Sequence, residues 1–128
     1  MKQILSNDII NQYMPTLVKC PLFNTLGEPE LRGYLNNAKV IIHSYKKNDF
    51  IALAGDPMEG IGVILEGSAL LTRENVMGQR VIMANLEQSD IFGEALLFSK
   101  QPLWPATIKA TKATKIMFIP LETFIKTL

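Results

Sequence analysis

Apolar residues recur at helical spacing near the N-terminus of the chain. Ile9, Tyr13 and Leu17 are four residues apart, so they would share one face of a helix. Residues 6–8 (Ser-Asn-Asp) supply side chains that can cap the free amides at a helix start. Pro15 lacks an amide hydrogen and is expected to kink or end the segment. The pattern therefore predicts a first helix of about two to three turns.

A second helix is indicated by the run that begins at residue 28. Residues 28–30 (Glu-Pro-Glu) place a proline in the first turn and carboxylates near the positive end of the helix dipole. Leu31 and Leu35 then fall on one face, and the pair Asn36-Asn37 marks the expected end. The two helices make up a predicted N-terminal helical segment, residues 1–39.

The periodicity changes after residue 39. Short runs of β-branched and aliphatic residues now alternate with turn residues, which is typical of strands. The predicted strands are VIIHSY (40–45), DFIALA (49–54), GVILEG (62–67), ALLTRE (69–74), RVIMANL (80–86), DIF (90–92), TIKA (107–110) and KIMFI (115–119). Because no long helix separates them, they predict a mainly β domain at residues 40–120, built as an antiparallel barrel or jelly roll.

The last eight residues carry an apolar stripe. Leu121, Phe124, Ile125 and Leu128 fall at i, i+3, i+4 and i+7, which is one face of a helix about two turns long. A helix this short is not stable alone, so it should pack against this domain, against a second copy, or within a longer helix. We interpret residues 121–128 as the start of a dimerisation helix, cut from a longer protein.

Composition narrows the possible functions. The 128 residues and their 48% hydrophobic content suit one packed domain, and a net charge of +1 gives no electrostatic case for nucleic acid or a membrane surface. With Cys20 as the only cysteine and His43 as the only histidine, a disulfide within the chain, an iron–sulfur cluster and a several-histidine metal site are excluded. We expect a cytoplasmic protein that is not an enzyme and holds no metal or cofactor.

One loop resembles a ligand cradle. In FGEALLFSKQPLWPATIKA (92–110), Gly93 allows close backbone approach, and residues 94–98 would form one short helical turn with free N-terminal amides. Around it stand CPLFNTL (20–26), YKKNDFIALAGDP (45–57), GVILEGSALL (62–71) and WPATIKATKATKIMFIP (104–120). In this order the motifs resemble the effector-binding β-roll of the cyclic AMP receptor protein and fumarate–nitrate reduction regulator superfamily.

The resemblance implies a fold and a site. The fold would be a cupin-like double-stranded β-helix, followed in full-length relatives by a dimerisation helix and a helix-turn-helix domain; no such DNA-binding domain is present in these residues. In the family, the FGE motif accepts the ribose of cyclic AMP, and an Arg-Ser pair about ten residues later clamps its phosphate. Gly93 and Glu94 match the opening, whereas Trp104 and Pro105 stand at the positions of the clamp.

The missing clamp changes the expected ligand. A buried phosphate needs a charged, preferably bidentate partner, and Pro105 offers not even a backbone amide. Lys100 and Lys109 are the nearby basic residues that a phosphate would have to use instead. We therefore expect a small apolar or aromatic effector rather than cyclic AMP. The predicted ligand-binding residues are Phe92, Gly93, Glu94, Ala95, Leu96, Trp104, Pro105, Ala106 and Thr107.

Three functional readings remain open from the sequence. The first is the effector-sensing domain of a dimeric bacterial transcription regulator, which contacts DNA only through a further C-terminal domain and has no membrane partner. The second is a genuine cyclic nucleotide-binding module with an atypical phosphate site, and the third is an enzyme on a cupin roll, which the absence of metal ligands opposes. Two of the predicted ligand-binding residues could instead have a purely structural role. Glu94 could be an acid that interacts with the amides at a helix N-terminus, and Trp104 could be a hydrophobic side chain that fills the pocket.

Overall fold

The two predicted helices form where the sequence places them. Helix α1 (Asn7–Leu17) begins at Ser6, whose hydroxyl accepts a hydrogen bond from the Ile9 amide at 3.3 Å, and helix α2 (Glu28–Asn37) has its proline in the first turn. Helix α1 continues two residues beyond Pro15, so the proline does not end it. The proline removes one hydrogen bond within the helix, while the buried Met14 and Leu17 hold the last turn on the core.

The computed structural model describes residues 2–4, 6–96 and 99–120, with residues 2–4 and 96 described by their backbone. Within these residues it has nine strands: β1 (Lys2–Ile4), β2 (Ile41–Tyr45), β3 (Phe50–Ala52), β4 (Gly60–Glu66), β5 (Ala69–Glu74), β6 (Arg80–Leu86), β7 (Ile91–Phe92), β8 (Thr107–Ala110) and β9 (Thr114–Pro120). All eight predicted strands are present, with ends that shift by a few residues. The predicted dimerisation residues lie at 121–128, outside the described residues.

The strands form two antiparallel sheets. One sheet has the order β1-β2-β9-β4-β7 and the other has the order β3-β8-β5-β6. This arrangement confirms the predicted jelly roll. Strand β1 was not predicted; it pairs at the edge of the first sheet with β2, so that Ile4 lies opposite Ile41.

The five-stranded sheet separates two apolar cores. On one face it packs against α1 and α2, and on the other it closes over the interior of the roll. Strand β4 is buried along almost its whole length because it meets both cores, which explains its near-continuous apolar sequence. The helical core includes Leu17, Leu31, Leu35, Val63 and Met117, whereas the roll interior includes Ile64, Phe92, Trp104, Ile108 and Ile116.

Candidate functional site

The FGE turn follows strand β7 and is shaped by its glycine. Gly93 has a φ of +95°, and residues Glu94–Leu96 then form one 3-10 turn. A Cβ atom at position 93 would lie 2.8 Å from Met58 Cε and 3.4 Å from Trp104 Cζ3. Only glycine therefore satisfies both the backbone conformation and the available space, and the turn rests directly on the indole ring.

Trp104 is a fixed wall rather than a surface side chain. It is 7% exposed, and its ring lies 5.7 Å from that of Phe92 at an interplanar angle of 41°. Its backbone is anchored on both sides, because the Trp104 amide donates to the Asp56 carbonyl and its own carbonyl accepts from the Gly55 amide, each at 2.8 Å. The segment before β8 is thus held against the loop after β3.

The turn and Trp104 enclose a cavity of about 250 Å³, which we call the cassette cavity. Seven predicted ligand-binding residues line it: Phe92, Gly93, Glu94, Ala95, Trp104, Pro105 and Ala106. Thr107 does not join them, because its hydroxyl accepts a hydrogen bond from the Ala54 amide at 3.2 Å and it faces a different cavity. Leu96 belongs to the 3-10 turn by its backbone.

The rest of the cassette cavity comes from residues that sequence reasoning missed. They are Leu71 from β5, Ala84 and Leu86 from β6, Ile91 from β7 and Ile108 from β8. Leu71 lies opposite Ala84 in the β5–β6 register, so the wall crosses two neighbouring strands of the second sheet. The alternation of Ala84 and Leu86 along β6 was the available signal, since alternate residues of a strand share a face.

Among the described residues that line the cassette cavity, only Glu94 is ionisable, and it is exposed. Lys100 is also exposed, and the Lys109 ammonium lies 5.6 Å from the centre of the Phe50 ring rather than in the cavity. Arg73 and Arg80 line a neighbouring cavity of about 540 Å³, which shares Pro105 with this one. The cassette cavity thus offers an apolar interior with one carboxylate at its edge.

Cys20 and His43, the other residues named in the sequence analysis, pack against neighbouring parts of the fold. Cys20 is fully buried, and burial raises the pKa of its thiol, although backbone hydrogen bonds at Leu22 and Phe23 act in the opposite direction. His43 lies in β2 with its ring edge-on to Phe118 at 5.7 Å.

Within the described parts of the chain, no group of three or more metal-ligating side chains comes together, and no helix is long and apolar enough to cross a membrane.

Solved structures share this fold. The sensor domain of the transcriptional regulator DNR from Pseudomonas aeruginosa superposes with a TM-score of 0.78 at 18% identity, over 93% of this chain and 78% of that one. The catabolite activator protein of Thermus thermophilus gives a TM-score of 0.73 at 24% identity, over 83% of this chain and 48% of that one. At these identities the likeness concerns the fold alone.

The sequence itself carries the family relationship. The chain is 31% identical over 97 residues to the cAMP-activated global transcriptional regulator CRP of Pasteurella multocida, which is 76% of this chain and 46% of that protein. It therefore spans less than half the length of this relative. The family model described as the cyclic nucleotide-binding domain matches residues 42–128, and this confirms the resemblance found in the motifs. The chain belongs to the cyclic nucleotide-binding domain family.

Proposed function

We propose that the chain is the effector-sensing domain of a bacterial transcription regulator and that its effector is a small apolar or aromatic molecule. The observation that supports this proposal is the cassette cavity, which Trp104 and Pro105 line; these are the residues at the positions where the family resemblance implies a phosphate clamp. An anion placed there would lose its hydration without gaining a charged partner, which costs several kcal/mol. An apolar ligand instead gains about 25 cal/mol for each Å² removed from water.

The size of the cavity limits the ligand further. Its volume of about 250 Å³ is below the roughly 300–1,000 Å³ typical of sites for drug-sized molecules, so it suits a single-ring compound. The exposed carboxylate of Glu94 and the amides of the adjoining turn can meet one hydrogen-bonding group on such a ligand. Phenol combines these properties and is a suitable probe.

In this proposal the signal travels from the cassette to the chain that follows β9. The effector must bind one arrangement of the two segments better than the other, because equal affinity for both shifts no equilibrium. The change would then alter a dimerisation surface, formed by the stripe of Leu121, Phe124, Ile125 and Leu128. Contact with DNA would be made by another domain of the full-length regulator. A gel-shift assay of the full-length gene product, with and without effector, tests this output.

Ligand binding is testable directly because Trp104 is the only tryptophan and reports on the cavity by its fluorescence. We expect saturable binding of phenol by calorimetry and by phenol-induced changes in Trp104 emission, with no binding of cyclic AMP at micromolar concentrations. Ala106→Leu fills the cavity from a residue that is 4% exposed and should abolish phenol binding. Thr107→Val, on the other side of β8, is the matched control and should leave it unchanged.

A second function is favoured by the family match, namely a cyclic nucleotide-binding module with an atypical phosphate site. Arg73 and Arg80 are the residues that such a site would use, since their cavity adjoins the cassette at Pro105. Micromolar cyclic AMP binding that Arg73→Gln and Arg80→Gln abolish would establish this function and overturn the apolar one. The double variant Trp104→Arg/Pro105→Ser should by contrast create cyclic AMP binding in place of phenol binding.

A further inference from the structure

A further cavity also has Trp104 in its wall, but no residue of the cassette turn lines it. It has a volume of about 280 Å³, and five rings contribute to its wall: His43, Tyr45, Phe50, Trp104 and Phe118. Two carboxylates, Asp56 and Glu59, complete its polar part, and no lysine or arginine lines it among the residues that the structure describes. We call this the aromatic cavity.

The rings are held in place by the fold. His43 and Phe118 stand on neighbouring strands β2 and β9, with ring centres 5.7 Å apart and planes at 78°. Phe118 also meets Phe92 edge-on at 6.0 Å, and Phe92 in turn contacts Trp104. This chain of contacts fixes several walls before any ligand arrives, so little conformational entropy remains to be lost on binding.

The charge in the aromatic cavity is negative. Asp56 and Glu59 are exposed, which lets them keep their hydration while they face an incoming ligand. The charge of Glu59 reaches the wall, because the pKa of Tyr45 is raised to about 12, first by burial and then by the negative charges of Glu59 and of Asp49, which lies outside the cavity lining. An anionic ligand would be repelled at this place, and a neutral aromatic ligand would gain nothing from the carboxylates.

We propose that the aromatic cavity binds an organic cation, an ammonium group carrying small alkyl substituents. The faces of aromatic rings carry negative charge density and attract such cations, while alkyl groups on the nitrogen gain from contact with the apolar walls. Asp56 and Glu59 supply the complementary charge at the rim. This cation site is separate from the cassette cavity and does not depend on the effector proposed for it.

Lys109 allows a test in which a substitution should strengthen cation binding instead of weakening it. Its ammonium lies 5.6 Å from the centre of the Phe50 ring, so one ring of the wall already makes a cation–π contact from within the chain. This positive charge opposes a second cation nearby. Lys109→Met removes the charge and should therefore strengthen cation binding, whereas it would not strengthen the binding of a neutral ligand.

The experiment compares choline with its uncharged isostere, 3,3-dimethylbutan-1-ol, on the wild-type chain by calorimetry and Trp104 fluorescence. We expect saturable choline binding that is at least about tenfold tighter than binding of the alcohol. Glu59→Gln and Asp56→Asn should each weaken it by about fivefold, and Lys109→Met should tighten it. Glu87→Gln, an exposed carboxylate outside the aromatic cavity, is the control and should have no effect.

Several results would overturn the proposal. Equal affinity for choline and the alcohol would show that charge plays no part, and unchanged choline binding in Glu59→Gln and Asp56→Asn would place the ligand elsewhere. Displacement of choline by equimolar Mg²⁺ would show a metal site instead. Circular dichroism confirms that each variant is folded, and Ala106→Leu separates the two sites, because it should abolish phenol binding and leave choline binding intact.

Discussion

Gly62 in the middle of β4 controls the position of Phe92, and Gly62→Ala is the sharpest test of how the cassette cavity is built. A Cβ atom at Gly62 would lie 2.5 Å from Phe92 Cε1 and 2.6 Å from Cε2, and closer still to Cζ. The ring cannot turn away freely, because it is 4% exposed and contacts both Trp104 and Phe118. The added methyl group must therefore displace a whole set of packed rings.

The expected size of the effect follows from these contacts. Forcing an extra methyl group into a packed core lowers the free energy of unfolding by about 1–3 kcal/mol. Replacing glycine by alanine also raises it by about 0.5–1 kcal/mol, because alanine restricts the unfolded chain. We expect a net loss of up to about 2.5 kcal/mol in the free energy of unfolding, together with weaker phenol binding. Gly33 in α2 is the matched control: a Cβ there has no heavy atom within 4 Å, so Gly33→Ala should stabilise by about 0.5–1 kcal/mol.

Urea denaturation followed by circular dichroism measures both variants, and calorimetry measures phenol binding. The smaller Phe92→Leu side chain should rescue part of the loss when it is combined with Gly62→Ala, since it relieves the overlap. Equal stabilisation by Gly62→Ala and Gly33→Ala would refute the argument, because it would mean that the Phe92 ring does not lie against β4 as described.

Three further predictions concern single side chains. The pKa of Tyr45 is about 12, against 10.0 for an ordinary phenol, so the folded state binds the phenol proton more tightly than the unfolded state does. The contribution of this proton to the stability of the fold is complete below pH 10 and is lost as the pH rises through 12. The free energy of unfolding should fall over that window by about 1–2 kcal/mol more in the wild type than in Tyr45→Phe, after allowance for partial exposure, as measured by urea denaturation. Thr114 is 2% exposed, and its hydroxyl accepts a hydrogen bond from the Ser68 amide at 3.2 Å; Thr114→Val removes this hydroxyl and should cost about 1–3 kcal/mol in the same assay. Ser6→Ala removes the cap of α1 and should lower the thermal midpoint, at a cost of about 0.5–2 kcal/mol.

The fold could be predicted from the sequence where local patterns coincide with the final structure. The eight predicted strands consist of short runs of apolar residues, which the sequence shows directly. Their pairing is mostly between strands far apart in the chain, since among the described strands only β5 and β6 are both neighbours in a sheet and joined by a short turn. Strand β1 escaped prediction because its three residues, Lys-Gln-Ile, contain one apolar side chain and no periodicity. It is a strand only by virtue of β2, about forty residues away in sequence, with which it pairs.

The candidate site was predictable only in part for a similar reason. The cassette residues are close in sequence, so one motif revealed seven of the residues that line the cavity. The opposite wall depends on the register of β5 and β6, which shifts by one residue between Thr72 and Leu71 and so brings Leu71 opposite Ala84. The alternation along β6 does not by itself predict this shift. The aromatic cavity was not predicted at all, because its rings come from four separate parts of the chain, between His43 and Phe118.

Trp104 links the two cavities, and this position has physical consequences for any ligand. The indole belongs to the wall of both, so it cannot move to accommodate a molecule on one side without changing the shape of the other. Such coupling is reciprocal: if a ligand in the aromatic cavity changes the affinity of the cassette cavity by some factor, the converse change has the same size. Trp104 therefore gives two cavities with different lining residues a common wall.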